Sequence, residues 1–308
     1  MKKISIFVCA CLLLAACAKN ETIIYGWLPD NSSDNGNTQE NAGALVSFSA
    51  SLENRAITRA MSPMSKGVLC QILAFKTEDN KLATPLADGQ YVTSSIGKLT
   101  GVKGYKMYLP DGVYNMYALS NNSSVTPPVI SNGMTSPLQN GVDYLWWENI
   151  EQDITTSQIQ VPIVFKHVAA QVVIDISAGE SMRVDSLVSA SILPPAPGRT
   201  LDLQFGIISP ATTYTTTPFK MGRNGLRAQA IVLPINTTSP MTLNLELMVN
   251  RESASRNYIA GIPVPGKLAG GFSYVFSAII NGNSISFPEV SIKDWTEVDE
   301  TGKPIYPK

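Results

Sequence analysis

Side chains able to do chemistry are few in this sequence and poorly grouped. His167 is the single histidine among 308 residues. It lies between Phe165 and Val168-Ala169, a setting that suits a packed core or edge histidine better than an acid–base catalyst. Acid pairs such as Glu78-Asp79 and Asp299-Glu300 fall in polar turns and read as solvated carboxylates. No GxSxG, HExxH, phosphate-binding glycine loop or GxGxxG occurs. Carboxylates converging from distant positions, as a glycosidase requires, are the one enzymatic route left open. No catalytic residue, metal ligand or cofactor is assigned, and the chain reads as a non-enzyme.

Charge excludes further classes. The chain has 23 Lys+Arg against 24 Asp+Glu, so no bulk field draws it to nucleic acid. Charged residues make up 15%, well below the roughly 25% of an average soluble protein. The apolar share of 44% supplies enough side chains for real cores.

The remaining chemistry is that of cysteine. Lys2 and Lys3 precede the apolar run Ile4 to Ala16, then Cys17. A charged start and an apolar stretch too short to span a bilayer form a signal peptide over residues 1–16. Leu14-Ala15-Ala16-Cys17 looks like a bacterial lipobox, in which the cysteine is acylated and becomes the first mature residue. An ordinary secretory peptide ending near a cysteine is the alternative. Cys9 and Cys11 leave with the peptide and Cys17 takes the lipid, so only Cys70 remains and no internal disulfide forms. Cys70 sits in the apolar run Val68 to Phe75 and reads as an inert, buried thiol. Residues 17–43 form a tether: from Pro29 to Gly43 there is hardly an apolar side chain to bury.

Past the tether the periodicity is that of strands. Met241, Leu243, Leu245, Leu247 and Val249 alternate with polar or small residues, as do Phe272, Tyr274, Phe276, Ala278 and Ile280, and Val172, Ile174 and Ile176. Turn signals separate the runs: Pro110-Asp111-Gly112, Asn132-Gly133, Asn224-Gly225, Asn281-Gly282. No convincing amphipathic helix appears. Short strands at short spacing over this length predict an all-β protein of two consecutive sandwiches, 44–158 and 159–308. The apolar alternation slips by one residue between Phe165-Lys166-His167 and Ala170, which predicts a bulge or a change of partner.

These residues together resemble the fimbrillin-like proteins, the type V pilin superfamily of Bacteroidales. The resemblance rests on the lipobox Cys17 with its leash and on Arg55-Ala56-Ile57-Thr58-Arg59-Ala60 after a first strand. It rests also on Leu109-Pro110-Asp111-Gly112-Val113-Tyr114, and on Phe165-Lys166-His167-Val168-Ala169-Ala170 with Trp295 near the end. Ala18-Lys19-Asn20-Glu21 is similar to the signal that exports lipoproteins to the outer face of the outer membrane, with a simple solvated tether as the alternative. The resemblance implies transthyretin-like sandwiches and a cell-surface fimbrial subunit anchored through the lipid. It further implies a trypsin-like protease that cuts after an arginine, and assembly with other pilin subunits by donor-strand exchange.

On that pattern the displaced strand is Ala44 to Leu52, with Leu45, Val46, Phe48, Ala50 and Leu52, and it reads as an edge strand. Arg55 and Arg59 are the candidate cleavage sites, with ordinary solvated arginines as the alternative. The candidate donor lies in 283–298, with Ile285, Phe287, Val290 and Ile292; the alternative is simply the last strand of the second sandwich. A rival function is an outer-membrane-anchored, glycan-binding lipoprotein using Trp146-Trp147. Adjacent strand residues point to opposite faces, however, so the two rings cannot form one platform.

Overall fold

The computed structural model describes residues 43–53, 61–79, 81–155 and 158–295. Among them the chain is almost entirely β; the one helical piece is a 3-10 turn, Val102–Gly104. No helix among the described residues is long and apolar enough to cross a membrane.

Nine strands from the first half form one sheet. Its order runs Gln158–His167, Leu145–Ile154, Gly112–Ser120, Leu69–Lys76, Ala87–Ser95, Lys98–Gly101, Ala44–Leu52. Ala44–Leu52 then pairs in parallel with Gln158–His167, from Leu45 opposite Gln158 to Leu52 opposite Phe165. The sheet therefore closes on itself. Closure is broad at that parallel seam and narrow elsewhere: only Ser49 opposes Lys98, and only Leu145 and Trp146 oppose His167 and Lys166. Inside the ring lies one core, with Phe48, Cys70, Ile72, Met116, Trp147, Val161 and Phe165.

The second half forms two facing sheets. One runs Gly222–Asn224, Arg227–Val232, Ala170–Ala178, Phe272–Asn281, Ser284–Asp294. The other runs Phe219–Lys220, Val184–Ile192, Met241–Val249, Arg256–Ile262. Val172, Ile174 and Phe276 of the first share a core with Leu243, Leu245 and Leu247 of the second. The period-2 alternation requires this sandwich, because each strand has one apolar face to bury.

The register slip marks the change of sheet. Gln158–His167 belongs to the first sheet and Ala170–Ala178 to the second half. The change of sheet therefore falls at Val168-Ala169. The two linking residues are tied on both sides: Val168 N–H donates to Tyr144 O at 3.0 Å, and Gly271 N–H to Ala169 O at 2.7 Å.

A third core joins the halves. Leu73, Phe75, Tyr117 and Leu119 stand on the outer face of the closed sheet, opposite in phase to Ile72, Ala74, Met116 and Ala118. They pack with Trp146, Leu201, Leu203, Ile208, Leu233 and Trp295. Much of the cover is a miniature sheet of two hairpins, Ile130–Ser131 with Met134–Thr135 and Leu201–Asp202 with Ile207–Ile208. Asn132 and Gly133 have φ of 49° and 70°, the left-handed pair that a two-residue hairpin demands, as the Asn-Gly signal predicts.

Candidate functional site

The first strand is the centre of interest. Its sequence ALVSFSASL alternates strictly, and so does its burial. Ala44, Val46, Phe48, Ala50 and Leu52 face the core and are 2–4% exposed. Leu45 points the other way and is only half-buried, so of the five side chains assigned to this strand, four serve the slot. Phe48 meets the Tyr91 ring edge-on, centroids 5.2 Å apart. The slot around it carries no charge: burial pushes the Cys70 thiol up to about 12 and raises the Tyr91 hydroxyl too.

One expectation needs correction. Ala44–Leu52 is not an edge strand; both of its edges are occupied. One edge carries the parallel seam to Gln158–His167. The other meets Met107–Leu109 at Ala44 to Val46, Lys98 at Ser49, and Ser62–Pro63 at Ser51 and Leu52. Period-2 alternation shows which face of a strand is buried and is silent about what pairs with its edges. The pairing is reinforced by Ala50 N–H to Gly97 O at 2.9 Å, Met64 N–H to Ala50 O at 3.1 Å and Glu53 N–H to Phe165 O at 2.8 Å.

Arg55 and Arg59 lie outside the described residues, as does Cys17. The segment that holds the arginines links the end of the first strand at Glu53 to Met61, which is 60% exposed.

The last strand, Ser284–Asp294, contrasts with the first. It pairs with Phe272–Asn281 on one side only and ends its sheet. Ile285 and Phe287 lean on the second core. The register then shifts between Ser277 and Ile279, around Phe287 and Pro288, which lacks the N–H a regular ladder needs. Beyond the shift Val290 and Ile292 stand opposite the buried Phe276 and Tyr274, yet they are 36% and 54% exposed. The four candidate donor side chains thus share a strand but divide into a seated pair and an uncovered pair.

The remaining motifs are structural. Tyr114 Oη donates to Pro110 O at 2.9 Å, which closes the Leu-Pro-Asp-Gly-Val-Tyr turn on itself. His167 is buried and pairs with Asp143 at 2.7 Å. Trp146 and Trp147 are 5% and 7% exposed and belong to the outer and inner cores respectively. Neither is a sugar platform. Sequence reasoning missed the miniature sheet, because two-residue strands leave no periodicity to read. Among the described residues no cluster of His, Cys, Asp and Glu is arranged to hold a metal.

Comparison with known proteins follows the same line. The profile of the fimbrillin-like family matches residues 58–295. A candidate cell adhesion protein of Bacteroides uniformis superposes with a TM-score of 0.59 at 17% identity, over 82% of this chain and 99% of its own. One from Bacteroides ovatus has a TM-score of 0.59 at 14% identity, over 83% and 99%. One from Bacteroides fragilis has a TM-score of 0.52 at 16% identity, over 83% and 99%. No curated protein sequence is significantly similar. At such identities the likeness is one of fold, whereas the profile match spans most of the described chain. The chain belongs to the fimbrillin-like family.

Proposed function

We propose that the chain is a structural subunit of a surface fimbria, exported as a lipoprotein on Cys17 to the outer membrane and assembled by strand exchange. A trypsin-like protease cuts after Arg55 or Arg59. The first strand departs, and the 283–298 region of another subunit fills its slot. Residues 44–167, with their closed sheet, and 170–295, with their two facing sheets, act as two lobes in this reading, joined at Val168-Ala169.

The observation that supports it is the double pairing of Ala44–Leu52. A strand with both edges occupied leaves two rows of backbone partners and an apolar slot. A replacement then gains about twice the ladder bonds that a free sheet edge would give. Each large side chain that refills the slot gains ~1.5–3 kcal/mol. Cutting is needed because a tethered strand competes at an effective concentration of order millimolar. A donor at about micromolar is at a thousandfold disadvantage, ~4 kcal/mol.

Limited trypsin digestion, followed by native gels and mass spectrometry, tests the reading. The expected result is a released fragment ending at Arg55 or Arg59, a folded remainder, and SDS-resistant ladders. If R55A/R59A assembles as well as the parent, the cleavage assignment fails.

A further inference from the structure

Ser284–Asp294 ends its sheet, and among the described residues no strand pairs with its outer edge. From Pro288 to Lys293 every residue is exposed. Which backbone groups lie along that edge follows from the pairing behind it. Gly179 N–H donates to Ile280 O at 2.9 Å, where Ala170–Ala178 runs parallel to Phe272–Asn281. Even-numbered residues of Phe272–Asn281 therefore turn their N–H and C=O groups toward Ala170–Ala178, and odd-numbered ones toward the last strand. The odd residues Ser277, Val275 and Ser273 stand opposite Glu289, Ser291 and Lys293. Those three are engaged inward, so Val290, Ile292 and Asp294 present their backbone groups to the open edge.

The side chains alternate as well. Val290 and Ile292 stand opposite the buried Phe276 and Tyr274 and share their face. Glu289, Ser291 and Lys293 lie on the reverse face.

The run Glu289-Val290-Ser291-Ile292-Lys293 is complementary to itself read backwards. In an antiparallel pair centred on Ser291, Val290 meets Ile292 of the other copy and Glu289 meets Lys293. Symmetry makes each meeting occur twice. The backbone agrees, because Val290 and Ile292 are the residues whose N–H and C=O groups point outward, and opposed residues of that kind exchange both hydrogen bonds. Centring the pair on Val290 or Ile292 instead sets Ser291 opposite Glu289 or Lys293 and matches no opposite charges. A centre between two residues would face an outward backbone group with an inward one. One register therefore satisfies apolar contact, charge and ladder together.

We propose that a second copy of this chain docks edge to edge on Ser284–Asp294 through Glu289 to Lys293. The five-stranded sheets of the two copies then form one continuous sheet, and the uncovered Val290 and Ile292 cover each other across the two-fold axis. Pro288 has no N–H with which to continue the ladder, and a two-fold contact closes on itself, so pairing stops at two copies. The contact goes beyond strand exchange and does not rest on it, since it needs neither cleavage nor a vacant slot.

Sedimentation of the full, uncut chain carrying Cys17→Ser, so that no lipid gathers copies, tests it. The chain should dimerise reversibly. Glu289→Lys and Lys293→Glu should each weaken the dimer at least tenfold by setting like charges opposite each other. The double exchange Glu289→Lys/Lys293→Glu should restore it. Ser291 meets its own copy at a non-hydrogen-bonded position, where Cα atoms are ~4.5 Å apart, within reach of a disulfide. Ser291→Cys should therefore cross-link on mild oxidation at least tenfold faster than Ser286→Cys, with the 291–291 link identified by mass spectrometry. All of these positions are exposed, so circular dichroism and Tm should match the parent. A chain that sediments as a monomer up to its solubility limit overturns the proposal. So does a dimer whose affinity both single charge variants keep, or one that links no faster through position 291. Ladders after trypsin, present or absent, move none of these readouts, so this contact and strand exchange can fail separately.

Discussion

The imidazole of His167 lies flat on the indole of Trp295, with ring centroids 4.4 Å apart and planes 8° from parallel. His167 ends Gln158–His167, and Trp295 directly follows the last strand. The contact therefore pins the end of the second half to the closed sheet of the first. Asp143 Oδ1 pairs with His167 Nδ1 at 2.7 Å, and its Oδ2 accepts from Asn122 Nδ2 at 2.9 Å. The one histidine is a fastening.

Trp295 is 5% exposed and part of the core shared by both halves. Trp295→Ala should destabilise the uncut chain by ~3–5 kcal/mol, read from urea unfolding. If the last strand must leave its sheet to act as donor, the same variant should also assemble several times faster once cut. Equal ladder formation by parent and variant would mean that this strand stays at home.

Phe48 fills the slot against Tyr91 and is 3% exposed. Phe48→Ala should cost the uncut chain ~3–5 kcal/mol. It should leave the stability of the cut protein, freed of its first strand, unchanged. Urea titrations before and after trypsin check both halves of the statement.

Cys70 faces the same core as Phe48. Burial alone holds its thiol protonated up to about 12, whereas an unfolded thiol ionises near 8.5. The folded state therefore binds the proton more tightly. This group's contribution to stability is intact below about pH 8.5 and lost as pH rises toward 12, with a slope of at most ~1.4 kcal/mol per pH unit. Denaturation at several alkaline pH values should show that slope, reduced in Cys70→Ala. A thiol reagent at pH 8 should leave the uncut chain unlabelled and label the cut protein before a new strand enters.

Gly206 needs both a positive φ and the absence of a Cβ over Trp146. Gly206→Ala should cost ~1–3 kcal/mol through overpacking. Thermal unfolding measures the loss.

Much of this molecule can be read from residue order. The alternation in Ala44–Leu52, Met241–Val249 and Phe272–Asn281 determines which side chains are buried, because a strand has only two faces and water sorts them. Asn132-Gly133 determines a hairpin, because both residues tolerate positive φ. The one-residue slip after His167 determines a break, since a shift of one position turns every side chain to the other face.

Only the tertiary structure decided what lies at the edges and where distant residues meet. Nothing in ALVSFSASL says that its backbone is flanked on both sides, because edge pairing uses N–H and C=O groups that every residue carries alike. Nothing local joins His167 to Trp295 or Trp146 to Leu203. These are long-range contacts, settled by which apolar faces bury one another, and the slot comes into being there.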